Sequence, residues 1–138
     1  MTGGATNVLL DASALLAYLR REPGGDVVLN LLTAGACITT INYAEVLTRL
    51  SDAGEDPATA HQRLHAQGLI GGPLTIVTLT FDDAVTIAQL RRATRSQGLS
   101  LGDRACLAAG LRLGLPVLTA DRSWTTVNVG VTVQLIRT

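Results

Sequence analysis

The chain has 138 residues with equal numbers of acidic and basic side chains, 47% apolar and only 3% aromatic residues. That length suits one domain spanning residues 1–138, able to bury roughly two thirds of its unfolded surface in an aliphatic core, and it excludes a disordered or staple-dependent chain. No apolar run reaches the roughly 18 residues of a membrane span. The N-terminal residues lack the basic-then-apolar pattern of a secretory signal, so a cytoplasmic protein with no membrane partner is expected. All 11 basic residues are arginines. Arginine forks suit phosphate, but a net charge of zero gives no electrostatic footprint for nucleic acid.

In chain order, Asn7 to Leu10 is a short apolar run followed by a helical pattern from Ala12 to Arg21, which Pro23-Gly24-Gly25 breaks. Asp26 to Ala34 reads as a second helix, Ala36 to Thr39 as a buried strand, Ile41 to Ala53 as a helix, and Pro57 opens another to about Gln67. Leu74 to Leu79 is rich in β-branched residues and reads as a strand. Phe81 to Gln97 is predicted as one long helix, and Leu101 to Leu113, apolar nearly all round, as a buried one. Pro116 to Thr119 and Val131 to Ile136 complete the strands, with a helical turn at Arg122 to Thr126 between them. Short unbroken apolar strands alternating with helices predict a three-layer α/β/α fold around a central parallel sheet of four to five strands.

In such folds ligands gather beyond the carboxyl ends of the strands. Asp11 directly follows the first strand and Asp121 comes two residues after the fourth. Asp103 opens the buried helix, and Glu45 lies one turn into the helix after the second strand. Each also has a plain structural reading. Asp11 and Asp121 suit helix caps, Asp103 completes a capping box with Ser100, and Glu45 suits a solvated pair with Arg49. Gathered on one rim, four carboxylates would repel one another unless a hard divalent cation, Mg²⁺ or Mn²⁺, joined them. Such an ion can activate water for phosphodiester hydrolysis and offset the repulsion of an anionic substrate. Spacing alone does not reach the substrate class.

The segments Val8 to Leu19, Asn42-Tyr43-Ala44-Glu45-Val46, Leu99 to Ala108 and Val117 to Trp124 occur in that order. Together they resemble the four motifs of PIN-domain nucleases, and the length and third motif look most like the VapC toxin branch. The resemblance runs from about residue 7 to the end. It implies a PIN-like fold and a Mg²⁺-dependent endoribonuclease, a toxin of a type II toxin–antitoxin system. Asp11 and Asp103 would be direct metal ligands, and Glu45 and Asp121 would complete the site directly or through water. It further implies an RNA substrate, a homodimer and a hetero-oligomer with a cognate VapB-like antitoxin. A catalytically weak module that binds antitoxin and regulates operator DNA is the alternative within the same family.

Ser13 occupies a place where the family often sets a hydroxyl. Arg104 and Arg122 each follow a site acid and suit a phosphate clamp or a structural ion pair equally. Arg20, Arg21, Arg91, Arg92 and Arg95 suit either a flanking RNA surface or solvated helix faces. His61 and His65, one helical turn apart, lack a third ligand and read as an exposed helix face. Cys37 and Cys106 read as buried thiols. The stripe Tyr43, Val46, Leu47 and Leu50 fits either a partner or the core. Other α/β readings fail. Leu15 occupies the last position of a D-x-S-x-S metal site, no lysine serves a phosphoryl receiver, and no G-x-G-x-x-G follows the first strand.

Overall fold

The computed structural model describes residues 7–137, arranged as five parallel strands and six α-helices. The strands are β1 (Val8–Leu10), β2 (Ala36–Thr39), β3 (Leu74–Val77), β4 (Val117–Thr119) and β5 (Val133–Leu135). The helices are α1 (Ala12–Leu19), α2 (Gly25–Ala34), α3 (Thr40–Asp52), α4 (Pro57–Ala66), α5 (Phe81–Ala93) and α6 (Leu101–Leu113). Sheet order is β3-β2-β1-β4-β5, with Leu10 opposite both Ile38 and Leu118. The chain therefore winds outward in one direction through β3 and returns to the other side of β1 for β4. A crevice opens at that reversal, between the carboxyl ends of β1 and β4.

Strand side chains alternate between two cores, as the period of a pleated strand requires. Val8, Leu10, Ala36, Ile38 and Leu118 point into a core closed by α1 to α4. Leu9, Cys37 and Val117 point into the other, closed by α6, α5 and Trp124. Both cysteines are free and buried, and burial pushes Cys37 up to about 11. Tyr43, Val46 and Leu50 are core residues, with Leu47 packed against them, so the stripe on α3 is spent on packing. Among the described residues no helix is long and apolar enough to cross a membrane.

Several elements are shorter than their sequence pattern, with β3 ending at Val77 and α1 at Leu19, and two others show a physical reason. The helix predicted to run to Gln97 stops at Ala93, and a separate 3₁₀ turn covers Arg95–Gln97. Thr94 ends it, buried and with its hydroxyl donating back to the Leu90 carbonyl (2.7 Å), its backbone at φ −115°, ψ 20°. β5 keeps only three residues of the predicted Val131 to Ile136. Beyond it, Ile136 packs on Gly24, where φ is +91° and an added Cβ would stand 2.7 Å from the Ile136 carbonyl oxygen. Glycine at that position lets the C-terminal segment reach the turn between α1 and α2.

Candidate acidic metal centre

Asp11 leaves β1 at the crevice and starts α1 as its N-cap, accepting from the Ala14 amide (2.8 Å). Its Oδ1 also accepts from the Ser13 hydroxyl (2.7 Å) and its Oδ2 from the Thr119 hydroxyl (2.5 Å). Thr119 Oγ1 in turn accepts from the Asp121 amide (3.0 Å), and Ser13 Oγ from the Ala120 amide (2.9 Å). Two hydroxyls thus tie the end of β1 to the end of β4 through one carboxylate. Asp11 is only 4% exposed, and among the described residues no basic side chain forms an ion pair with it. Burial pushes its pKa from 3.8 to about 6 although all three hydrogen bonds pull it down, and the charge of Asp103 adds to the rise.

Asp103 and Ser100 form a reciprocal capping box at the start of α6, with Ser100 N donating to Asp103 Oδ2 (3.0 Å) and Asp103 N to Ser100 Oγ (3.1 Å). On α3, Glu45 Oε1 accepts from Asn42 Nδ2 (2.8 Å), and the same amide donates to the Gly102 carbonyl (3.0 Å). Thr39 donates its hydroxyl to Asn42 Oδ1 (2.6 Å), so every polar position of that buried amide is used. Glu45 lies so close to α6 that a Cβ on Gly102 would come within 2.5 Å of its Oε1. Burial raises the pKa of Glu45, the Asn42 bond lowers it, Asp103 raises it again and Arg49 lowers it. The predicted Glu45–Arg49 contact is absent among the described residues; Arg49 acts on Glu45 only at longer range. Asp121 is exposed and caps the 3₁₀ segment Arg122–Thr126, accepting from the amide and hydroxyl of Ser123 (2.9 and 2.8 Å).

All four acids line one open groove of about 660 Å³, together with Ser13. Capping and convergence on the groove are therefore not alternatives, because Asp11, Asp103 and Asp121 each do both. Among the described residues no three carboxylate, imidazole or thiol groups close into a ready-made cage. The donor set nevertheless fits a hard divalent cation. It offers only carboxylate oxygens, Asp103 is near enough to raise both Asp11 and Glu45, and Gly102 leaves the room that the Glu45 carboxylate takes up.

Arg104 and Arg122 do not line this groove. Arg104 is buried on the opposite face of the sheet, its Nη1 donating to the Ile87 carbonyl (2.9 Å) and its Nε without a partner among the described residues, a placement that removes it from any phosphate in the groove. His61 is half-buried rather than exposed, and its Nδ1 shares a hydrogen bond with the Tyr43 hydroxyl (2.7 Å). Sequence reading gave no role to Thr119, Asn42 or Arg137, paired Arg49 with Glu45 only as a solvated ion pair, and did not set Arg20 beside the acids. The signals for the first two were a hydroxyl at the last position of a buried strand two residues before Asp121, and an amide three residues before Glu45 on one helix face.

A parallel sheet covered on both sides, with a carboxylate-lined groove at its switch point, defines an α/β domain built to work at the carboxyl ends of β1 and β4. The PIN domain family model matches residues 8–129, and the chain belongs to that family. No curated protein matches the sequence. Among solved structures, the chain is similar to FitAcB from Neisseria gonorrhoeae at 26% identity (TM-score 0.65), covering 91% of this chain and 95% of that one. It is similar to FitAB bound to an IR36 DNA fragment at 25% identity (TM-score 0.66), covering 94% of each chain. It also matches VapBC2 from Rickettsia felis, bound to a promoter DNA fragment, at 12% identity (TM-score 0.72), covering 94% and 98%. That last likeness is one of fold.

Proposed function

We propose that this chain is a divalent-metal-dependent endoribonuclease, the toxin of a toxin–antitoxin pair. The convergence of the four motif carboxylates on one groove at the switch point carries this reading. Membership of the PIN family supports it, and the fold is shared with a chain solved in a toxin–antitoxin complex from Klebsiella pneumoniae at 18% identity. Asp11 and Asp103 would hold Mg²⁺ or Mn²⁺ directly, and Glu45 and Asp121 would complete its surroundings directly or through water. When bound, the ion supplies a lowered pKa for water and positive charge beside the phosphate. The hydroxyls of Ser13 and Thr119 and the Ala14 amide hold Asp11 anionic against its burial. Asn42 fixes where the Glu45 carboxylate stands. Water attacks phosphorus and the 3′ oxygen leaves, so one product carries a 5′ phosphate and the other a 3′ hydroxyl. A VapB-like antitoxin would silence the groove, and the active form would be a cytoplasmic homodimer that joins it in a hetero-oligomer.

Sequencing new 5′ ends in total cellular RNA incubated with the protein and Mg²⁺ tests this. Discrete cuts that disappear with EDTA and with Asp103→Asn are expected. Identical ends in all samples from folded, antitoxin-free protein would overturn catalysis and leave the operator-binding role.

A further inference from the structure

The groove is polarised along its length. One wall is the face of α1 and its end, Ala12, Ser13, Leu16 and Arg20, and the other is the face of α3, Ile41, Ala44, Glu45, Thr48 and Arg49. Acids stand where the two helices begin and arginines where α1 ends and α3 runs on. At about 1.5 Å per residue, Arg49 lies roughly 6 Å beyond Glu45 and Arg20 roughly 13 Å beyond Asp11. Arg20 Nη2 donates to the Arg49 carbonyl (3.1 Å), tying the end of α1 across to α3. Arg137 reaches the same groove from the C-terminal segment, held by the Pro23 carbonyl (3.0 Å), and stands 3.7 Å from Glu22, the one acid that lines the arginine end among the described residues.

Elsewhere the fold pairs its structural arginines tightly, Arg63 with Glu55 at 2.8 Å and Arg112 with Asp83 at 2.9 Å. Arg20 and Arg49 have no carboxylate partner among the described residues. Arg20 spends one N–H of Nη2 on the Arg49 carbonyl, and its other N–H groups and the Arg49 guanidinium are left without a carboxylate.

We infer that Arg20 and Arg49 form a phosphate-binding subsite that holds the RNA strand about one to two and a half helical turns from the scissile phosphate, with Arg137 at its edge. The inference rests on the ribonuclease reading and adds the direction in which the substrate lies: along the α1–α3 groove, not over the exposed arginines of α5. Leu16 and Ala44 give the strand an apolar floor between the two charged ends. Arg20 and Arg49 are positioning residues, and their loss is felt in binding rather than in the chemical step.

The test uses a fluorescein-labelled, mixed-sequence single-stranded RNA and compares wild type, Arg20→Gln, Arg49→Gln and, as a control on α5, Arg92→Gln. Fluorescence anisotropy in the Asp103→Asn background gives binding against salt, and cleavage with Mg²⁺ gives KM and kcat. Each groove variant is expected to flatten the slope of log affinity against log salt by about 0.7, one single-strand phosphate contact. KM should rise roughly tenfold with kcat nearly unchanged, and Arg92→Gln should match wild type. An Arg20→Lys protein, which keeps the charge and loses the fork, should recover the slope but not the full affinity. Wild-type cleavage with unaltered slope and KM in both groove variants would overturn the subsite and leave the nuclease standing. Unaltered RNA binding in variants that lose affinity for an acidic peptide would overturn it too, because the arginines would then dock protein. No binding or cleavage of RNA by wild type would overturn the ribonuclease reading itself.

Discussion

Replacing Asp11 with asparagine should make the metal-free protein more stable while abolishing its response to metal. Burial holds the Asp11 pKa at about 6 rather than 3.8, which at 1.36 kcal/mol per pKa unit corresponds to a cost of about 3 kcal/mol for keeping it ionised in the folded chain. Because the folded pKa is raised, Asp11 costs nothing below pH 3.8, its burden grows as pH climbs to about 6, and it is constant above that. An asparagine carries no such burden. Its Oδ1 keeps the Ser13 and Ala14 bonds, while its Nδ2 faces Thr119 Oγ1, which now donates to Asp11 and must turn to accept. The displaced Thr119 proton has Ser13 Oγ at 3.3 Å as its next acceptor, so about one hydrogen bond is weakened, roughly 1 kcal/mol. The balance is about 2 kcal/mol in favour of Asp11→Asn at pH 8, a rise in Tm of about 6 °C for a domain of this size. Thermal melts in EDTA from pH 4 to pH 8 measure it: the two proteins should nearly coincide at pH 4 and separate as pH rises. Adding Mg²⁺ should raise the wild-type Tm and leave the variant where it was. A variant less stable than wild type at pH 8, or a gap that does not shrink on acidification, would refute the burial argument.

Gly102→Ala should be nearly silent in stability, below about 1 kcal/mol, because the new Cβ meets only the mobile end of Glu45. It displaces that carboxylate from Asn42, so RNA cleavage should fall by roughly 100-fold in a gel assay while the melting curve barely moves. Arg112→Gln should do the reverse. Asp83 is 2% exposed and loses the Nε–H that donates to both its oxygens together with the positive charge, so urea unfolding at pH 7 should report a loss of about 2 kcal/mol, with cleavage and the Mg²⁺ response unchanged.

The layers and the parallel sheet were legible because each strand is a short apolar run and each helix an amphipathic or buried one, many of them bounded by glycine or proline, whereas the order of the strands was not read from the sequence. Boundaries failed where a side chain rather than a breaker ended the element. Nothing between Phe81 and Gln97 is glycine or proline, yet the Thr94 hydroxyl turns back on Leu90 and α5 stops. The acids were legible by position, at the ends of β1 and β4 and at the starts of α3 and α6. The arginines were not, because adjacency in sequence says little about direction in space. Arg104 follows Asp103 yet points at Ile87 through the far side of α6, whereas Arg20 and Arg49, nine and four residues from their acids, share the groove with them.

Two acids show why sequence pattern needed packing to complete it. Thr80-Phe81-Asp82-Asp83 and Ser100-Leu101-Gly102-Asp103 are the same capping box, and both form in the structure. What separates Asp83 from the acids of the groove is the partner on the other side of the carboxylate. Burial alone would raise the pKa of Asp83, but the Arg112 guanidinium and the Thr80 amide outweigh it and hold it below the ordinary range. Asp83 therefore adds stability above pH 3.8 that is lost as acid protonates it, which is how a structural carboxylate behaves. Asp11 behaves in the opposite sense, and the groove sets Asp103 and Glu45 beside it rather than a guanidinium. A fold that compensates one buried acid with arginine and sets another beside more acids leaves the second uncompensated, and the proposed divalent cation would offset that imbalance. Among the described residues none of the four motif carboxylates has an ion-pair partner, and Arg49 and Arg20, which pair with no carboxylate either, lie about one and two and a half turns further along the same groove.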